Sequence, residues 1–306
     1  MRGIEMKENQ VLLTVFTPTY NRAHTLPRTY ESLKKQDSFC FEWLIIDDGS
    51  SDGTDKLVET WMGENNPFKI RYIYKKNGGM HTAYNTAYDN IDTELNVCID
   101  SDDCLAPGAA RKIAEAWEAM RECGYAGLIG LDSDMEGNII GTGFPKGLKE
   151  TTYSEYYGKG GKGDKKFVYR TDIMKKYPPY PEFEGENYVG ISCKFAIIDQ
   201  DYKMGVLDEI LCNVEYQADG STNTMFYQYM KNPKGFAYNR KIMMMYPISR
   251  KRLVMETIHY VSSSFISKNR KFVQESPKKL LTVICIPAGW LLTLYIKQKA
   301  KSHYAR

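Results

Sequence analysis

Several common signatures are missing from this sequence, and each absence removes a class of protein. Its seven cysteines, at positions 40, 98, 104, 123, 193, 212 and 285, form no Cys-x-x-Cys pair and follow no regular spacing. An odd, scattered set in a chain of 306 residues argues against a disulfide scaffold and for reduced thiols in a cytosol-like compartment. The opening MRGIEMKENQ has no apolar core of the secretory-signal kind, from which a cytoplasmic location is expected. Charge of neither sign dominates: the net value is +3, too near neutral to imply nucleic acid as a partner. No G-x-G-x-x-G follows the first apolar run, which disfavours a dinucleotide oxidoreductase. A glycine-rich basic phosphate loop is absent there too, which disfavours a nucleotidyltransferase. No internal repeat or low-complexity segment occurs.

What is present alternates between two rhythms. Val11 to Thr17 is apolar and β-branched and ends at Pro18; Leu26, Tyr30 and Leu33 then recur at helical spacing, with Thr25 as N-cap and Pro27 in the first turn. Trp43 to Ile46 is a second strand, closed by the turn-rich Asp47-Asp48-Gly49-Ser50-Ser51-Asp52-Gly53. Leu57, Val58, Trp61 and Met62 give the next helical face. Ile70, Tyr72 and Tyr74 alternate as a strand before the Asn77-Gly78-Gly79 turn, and Met80, Ala83, Tyr84, Ala87 and Tyr88 form a helical stripe. On this spacing His81 falls on the helix surface. Leu95 to Ile99 is a further strand, and Pro107 opens a helix with Ile113, Trp117 and Met120 inside. Strand and helix in this order predict a parallel α/β sheet. The second half is less regular, with a basic loop from Gly158 to Gly163 and a proline-rich stretch at Tyr177 to Pro181 that can continue neither a helix nor a central strand. Asp208-Glu209 reads as polar residues flanking a late strand, and Met243 to Met245 as packing.

Ligands of open α/β sheets sit at the carboxyl ends of strands. Three such ends are unusually polar here: Thr17 to Arg22, Asp47 to Ser50, and Asp100-Ser101-Asp102-Asp103. Asp100 and Asp102, two apart on an extended chain, project to one side. Paired carboxylates repel, so a cation is their natural third member, and hard oxygen ligands select Mg2+ or Mn2+. Taken singly, each acidic run also reads as a turn or a helix cap.

Together the segments VFTPTYNRAHTLPRTYESLKKQ, FEWLIIDDGSSDGT, KNGGMHTAYNTA and NVCIDSDD resemble, in family order, the motifs of the inverting family-two glycosyltransferases of the GT-A fold. The resemblance spans residues 10 to 125 and fades beyond 130. It implies an α/β chain: a GT-A type nucleotide-binding sheet with an irregular acceptor-side half and C-terminal helices. The catalytic domain would occupy 1–245, with a donor half at 10–130 and an acceptor half at 131–245. Pro18, Thr19, Tyr20 and Arg22 would line the nucleoside pocket, and Asp48 would hydrogen-bond the base, commonly uracil. Asp102 would be the principal metal ligand, with Asp100 nearer the sugar or ribose and Asp103 a second contact. Glu186, with Glu184 in reserve, would take the acceptor's proton, although Asn187 stands where the family often has Asp. Tyr216 to Thr224 looks like the loop that closes over the substrates. The implied enzyme is a bacterial cell-envelope hexosyltransferase with a UDP-sugar donor and a saccharide or lipid-linked acceptor. A catalytically inactive, membrane-tethered nucleotide-sugar binder is the alternative, with a nucleotidyltransferase behind it.

Residues 246–306 form a basic, partly apolar segment. Leu280 to Ile296 is uncharged, with Lys278 and Lys279 before it and Lys297, Lys299 and Lys301 after it. As a helix it would reach about 26 Å, short of the roughly 30 Å hydrocarbon core, and Pro287 and Gly289 interrupt it. A helix lying in the interface at the inner face of the cell membrane is expected, with packing against the catalytic domain as the competing reading.

Overall fold

A computed structural model describes residues 11–215 and 224–304 of the chain. In order, the first half forms β1 (Leu13–Thr19), α1 (Leu26–Lys34), β2 (Phe41–Asp47), α2 (Thr54–Met62), β3 (Ile70–Tyr74), α3 (Met80–Asn90), β4 (Leu95–Cys98), β5 (Cys104–Leu105) and α4 (Ala109–Met120). The second half adds β6 (Gly127–Ser133), β7 (Glu150–Thr151), α5 (Tyr153–Gly158), β8 (Lys165–Arg170), α6 (Thr171–Lys176), α7 (Ser192–Ile198), β9 (Met204–Asn213), α8 (Met225–Lys231) and α9 (Pro233–Met245). Four helices follow: α10 (Arg250–Ile266), α11 (Phe272–Glu275), α12 (Lys279–Ile284) and α13 (Ile286–Tyr304).

Among the described residues one mixed sheet runs β3-β2-β1-β4-β8-β6-β9-β5, with β7 also on β9. β1 to β4 are parallel, as the strand–helix alternation predicts, and β8 enters antiparallel between β4 and β6. Every residue of β1 and β2 is buried, because helices cover both faces of the sheet. One face packs under α1, α2 and α4, where Tyr30, Trp43 and Trp61 form a triangle of rings with centroids 4.4 to 5.9 Å apart. The other packs under α3, α6, α7 and α9, around Phe16, Tyr84, Tyr88, Tyr169 and Phe195. This is the expected GT-A architecture.

Several local expectations change. β1 begins at Leu13 and runs through Pro18 to Thr19; β4 pairs with β1 only as far as Phe16, so Pro18 stands where that edge has no ladder to break. Thr25 occupies the N-cap of α1 with helical backbone angles, and its hydroxyl donates to the Arg22 carbonyl at 3.4 Å instead of capping. Met62 and Met80, at helix ends, are exposed. The second half is more regular than its sequence suggests, since β6 to β9 complete the same sheet. Asp208 and Glu209 lie inside β9, exposed where the β6–β9 register shifts. The 280–296 stretch is divided between α12 and α13 at Cys285, and Pro287 sits in the first turn of α13. Among the described residues no helix is long and apolar enough to cross a membrane.

Candidate active site

The loops that leave β1 and β2 are stitched to each other. Asn21 takes φ 52°, a region that Asn tolerates through local hydrogen bonding. Its N–H donates to Ser50 Oγ at 2.8 Å, and its Oδ1 accepts from the Ser51 N–H at 2.8 Å. The Ala23 N–H donates to Asp52 Oδ2 at 2.9 Å. Tyr20, between these contacts, leaves its ring exposed, whereas Thr19 is buried and its Oγ1 has no partner among the described residues.

Asp48 fixes the next turn. Its Oδ1 accepts from Lys75 Nζ at 2.6 Å and the Gly78 N–H at 2.9 Å, and its Oδ2 from the Gly79 N–H at 2.7 Å. A carboxylate with about four acceptor positions therefore has three filled. Gly79, at φ 92°, opens α3 against the backbone of Asn187: a Cβ there would stand 1.8 Å from the Asn187 carbonyl oxygen. His81 corrects its expected surface position. It is buried, its Nδ1 lacks a partner among the described residues, and burial lowers its pKa to about 4 against the nearby Asp48 charge.

The third strand end holds the acids. α1 anchors it, with Thr29 Oγ1 donating to the Asp103 carbonyl at 2.8 Å and Ser32 Oγ accepting from the Leu105 N–H at 3.0 Å. Residues 100–103 are a turn, closed by the Asp103 N–H on the Asp100 carbonyl at 3.0 Å, and not an extended segment. The turn nevertheless brings Asp100, Asp102 and Asp103 to one cavity of about 740 Å³. The same cavity is lined by Tyr84, Tyr88, Tyr153, Tyr157, Phe167 and Phe195. Burial, then Asp100, raises the Asp102 carboxyl, while Arg22 and Arg28 pull it down. Arg28 pairs with Glu215, which also lines the cavity. Asp103 is pushed up by burial and by Asp100 and Asp102, against the opposing Lys166.

Two residues that motif reading missed share this cavity. Asp132, at the end of β6, is buried, and its Oδ1 has no partner among the described residues. Burial carries its pKa up to about 6 although Lys166 Nζ stands 3.8 Å from its Oδ2. Burial disfavours the Lys166 charge, but Asp132, Cys212, Asp103 and Asp100 around it hold its pKa well above normal. The signal for Asp132 was available: like Asp100, it is an acid closing an apolar run, Gly127 to Leu131.

The structure thus joins Asp100, Asp102 and Asp103, with Arg22 in electrostatic reach, but it gives the two glutamates a different setting. Neither Glu184 nor Glu186 lines the cavity. The Glu186 carboxylate accepts from the Lys234 N–H at 3.0 Å and the Gly235 N–H at 2.8 Å, capping α9. The expected closing loop at Tyr216 to Thr224 lies, but for Thr224, outside the described residues. No group of three His, Cys, Asp or Glu side chains arranged for a metal occurs among the described residues. Mg2+ or Mn2+ requires only one or two protein carboxylates beside phosphate and water. Asp100 and Asp102, close enough for one to raise the other, fit that requirement.

Comparison with known proteins agrees with this geometry. The family model described as "Glycosyl transferase family 2" matches residues 14–177. Chondroitin synthase of Escherichia coli is 30% identical over 133 residues, which are 44% of this chain and 19% of that protein. GalNAc(5)-diNAcBac-PP-undecaprenol beta-1,3-glucosyltransferase of Campylobacter jejuni is 27% identical over 168 residues, 54% of this chain and 48% of that one. The chain therefore spans less than half the length of either relative. Among solved structures, S. aureus TarS 1-349 with UDP-GlcNAc aligns at TM-score 0.59 and 18% identity, covering 90% of this chain and 79% of that one. A Pyrobaculum calidifontis mannosyltransferase with GDP-Man and Mn2+ aligns at 0.56 and 14%, covering 94% and 88%. A mixed sheet with acids at its strand ends and a family model matched across more than half the sequence lead to one conclusion: this chain is a glycosyltransferase of family 2.

Proposed function

We propose that the enzyme transfers a hexose from a UDP-sugar to a saccharide or lipid-linked saccharide acceptor, with inversion and with the help of Mn2+ or Mg2+. One observation carries this reading: half-buried Asp100 and Asp102 and buried Asp103, mutually repelling, line one partly aromatic cavity of about 740 Å³ beyond the β4 strand end, with Arg22 and Arg28 near enough to act on Asp102. Tyr20 offers an exposed ring for stacking on the base, and Pro18 and Thr19 shape the floor beneath it. Asp48 keeps one acceptor position for the base while it holds the Asn77–Gly79 turn. Asp102, with Asp100, would hold the cation, which when bound neutralises charge developing on the departing diphosphate.

The chain's own residues do the remaining work. Aromatic walls hold the acceptor ring and exclude water. The acceptor hydroxyl oxygen forms its bond to the anomeric carbon on the face away from the diphosphate, whose bond to that carbon breaks, and a carboxylate takes the hydroxyl proton. Glu186 is the candidate for this base by its position in the chain. Asp132 is the candidate by its position in the cavity and by a pKa of about 6, close to working pH. A lipid-linked acceptor, as in the printed name of the Campylobacter relative, would put the enzyme at the inner face of the cell membrane. The donor reading is tested by calorimetry with Asp102→Asn: UDP-sugar binding should lose its Mn2+ dependence while the melting temperature holds. Unchanged Mn2+-dependent affinity in that variant overturns the metal assignment.

A further inference from the structure

The outer surface of α12 and α13 belongs to none of the chemistry above. From the junction at Cys285 along α13, Cys285, Gly289, Thr293, Ile296 and Ala300 are buried at three- and four-residue spacing, a single stripe turned inward. The stripe docks on α10: a Cβ on Gly289 would lie 2.6 Å from Val261 Cβ, and Thr293 Oγ1 donates to Ser262 Oγ at 3.0 Å. Docking on one side leaves the other apolar side outward. Leu280 is 77% exposed, Ile284 65%, Leu291 60% and Trp290 53%, and Val283, Leu294 and Tyr295 are exposed beside them. The exposed Phe226 of α8 meets Tyr295 with ring centroids 5.6 Å apart and extends the band.

Contiguous apolar surface on this scale is not left in water without a function. Its composition indicates what covers it. Lysines stand at both ends, Lys278 and Lys279 before the band and Lys297, Lys299 and Lys301 after it, all without an acidic residue between Leu280 and Lys301. A second copy of the same face would bring lysines against lysines, whereas an anionic lipid surface offers hydrocarbon for the band and headgroups for its ends. Trp290 and Tyr295, exposed within the band, suit the interfacial layer.

We infer that α12 and α13 form an in-plane docking face for anionic membranes, inserting Leu280, Ile284, Trp290, Leu291 and Leu294 into the headgroup boundary while the Gly289 stripe stays on α10. The inference rests on the membrane location proposed above and is independent of the base and metal assignments.

The structure supplies its own reporter, because Trp43, Trp61 and Trp117 are buried and Trp290 is exposed. Full-length protein should sediment with phosphatidylglycerol-containing vesicles, with a blue shift of tryptophan emission that Trp290→Phe removes. Pure phosphatidylcholine vesicles should capture it at least ~10-fold less, the difference shrinking in high salt. Combined Ile284→Gln, Leu291→Gln and Leu294→Gln should weaken partitioning more than ~100-fold. UDP-sugar binding, followed in the same samples, should be unchanged by these three surface substitutions. Retained donor binding with no sedimentation and no emission shift on anionic vesicles overturns the docking face alone. Light scattering that shows a dimer dispersed by the glutamine variant, without vesicle binding, assigns the face to a second copy and overturns it as well. Loss of donor binding in otherwise vesicle-competent protein would count against the donor reading and not against this one.

Discussion

At the scale of single residues the site is built from charges that disfavour one another. Asp102 and Asp103 are raised by burial and by neighbouring acids, with a backbone hydrogen bond, Arg22 and Arg28 opposing at Asp102 and Lys166 at Asp103. Such a cluster costs stability, and proteins retain perturbed groups of this kind chiefly where they bind or react. The choice of base is decided at this scale. General-base catalysis contributes typically about 10²–10⁴-fold. The true base, replaced by its amide, should therefore lose that much kcat while the donor still binds. Asp132→Asn and Glu186→Gln are thus read side by side in a single-turnover assay. The cap predicts a further distinction: Glu186→Gln weakens two charge-assisted bonds to α9, so its melting temperature should fall by an amount equivalent to ~1 kcal/mol whatever happens to turnover. Sequence reading located the Asp100–Asp103 acids because they punctuate an apolar strand. It misplaced His81 because the first turn of α3 is covered beyond the stripe: Ala83, Tyr84, Ala87 and Tyr88 are buried as expected, but His81 and Thr82 are buried too and Met80 is exposed.

At the scale of elements, the Asn77–Gly79 turn joins the β2 strand end to the second half of the chain. Asp48 holds it from the β2 end, and Gly79 presses it against the Asn187 backbone. Gly79→Ala would combine a positive φ with a collision against a carbonyl oxygen, and should cost at least ~2 kcal/mol by denaturant unfolding. Gly53 provides the comparison, since it has φ 88° but nothing within 4 Å of a new Cβ. Gly53→Ala should cost only the backbone strain, ~1 kcal/mol. Equal losses at the two positions would remove the special status of the Asn187 contact. The parallel strands were legible because helices cover both their faces and leave continuous apolar runs. β8 and β9 were not, because Lys165 and Lys166 turn toward the cavity and Asp208 and Glu209 ride on a register shift, breaking both periodicities used to recognise a strand.

At the scale of the whole molecule, the C-terminal segment is both anchored and available. The apolar stretch 280–296 and its flanking lysines were legible from composition alone. Its other side, the Gly289–Thr293 stripe on α10, depends on a partner distant in sequence and could not be read locally. Removal of residues 278–306 should consequently uncover Val261 and Ser262, lower the melting temperature and promote aggregation, as measured by light scattering during a thermal ramp. A truncated chain as stable as the full one would make the segment a detachable tether. The sheet order has a further consequence, for the chain as it is made. β4 ends at Cys98, but the neighbour that covers its open edge, β8, begins only at Lys165, and the partner of β5 arrives still later with Cys212 and Asn213. A ribosome adding about 5–20 residues per second leaves that edge bare for several seconds. The nascent acid loop, complete in sequence by Asp103, therefore has no finished wall until β9 emerges. Chaperone demand during synthesis should be concentrated in that interval, and a message broken before β9 should yield a sticky half-sheet with no working site.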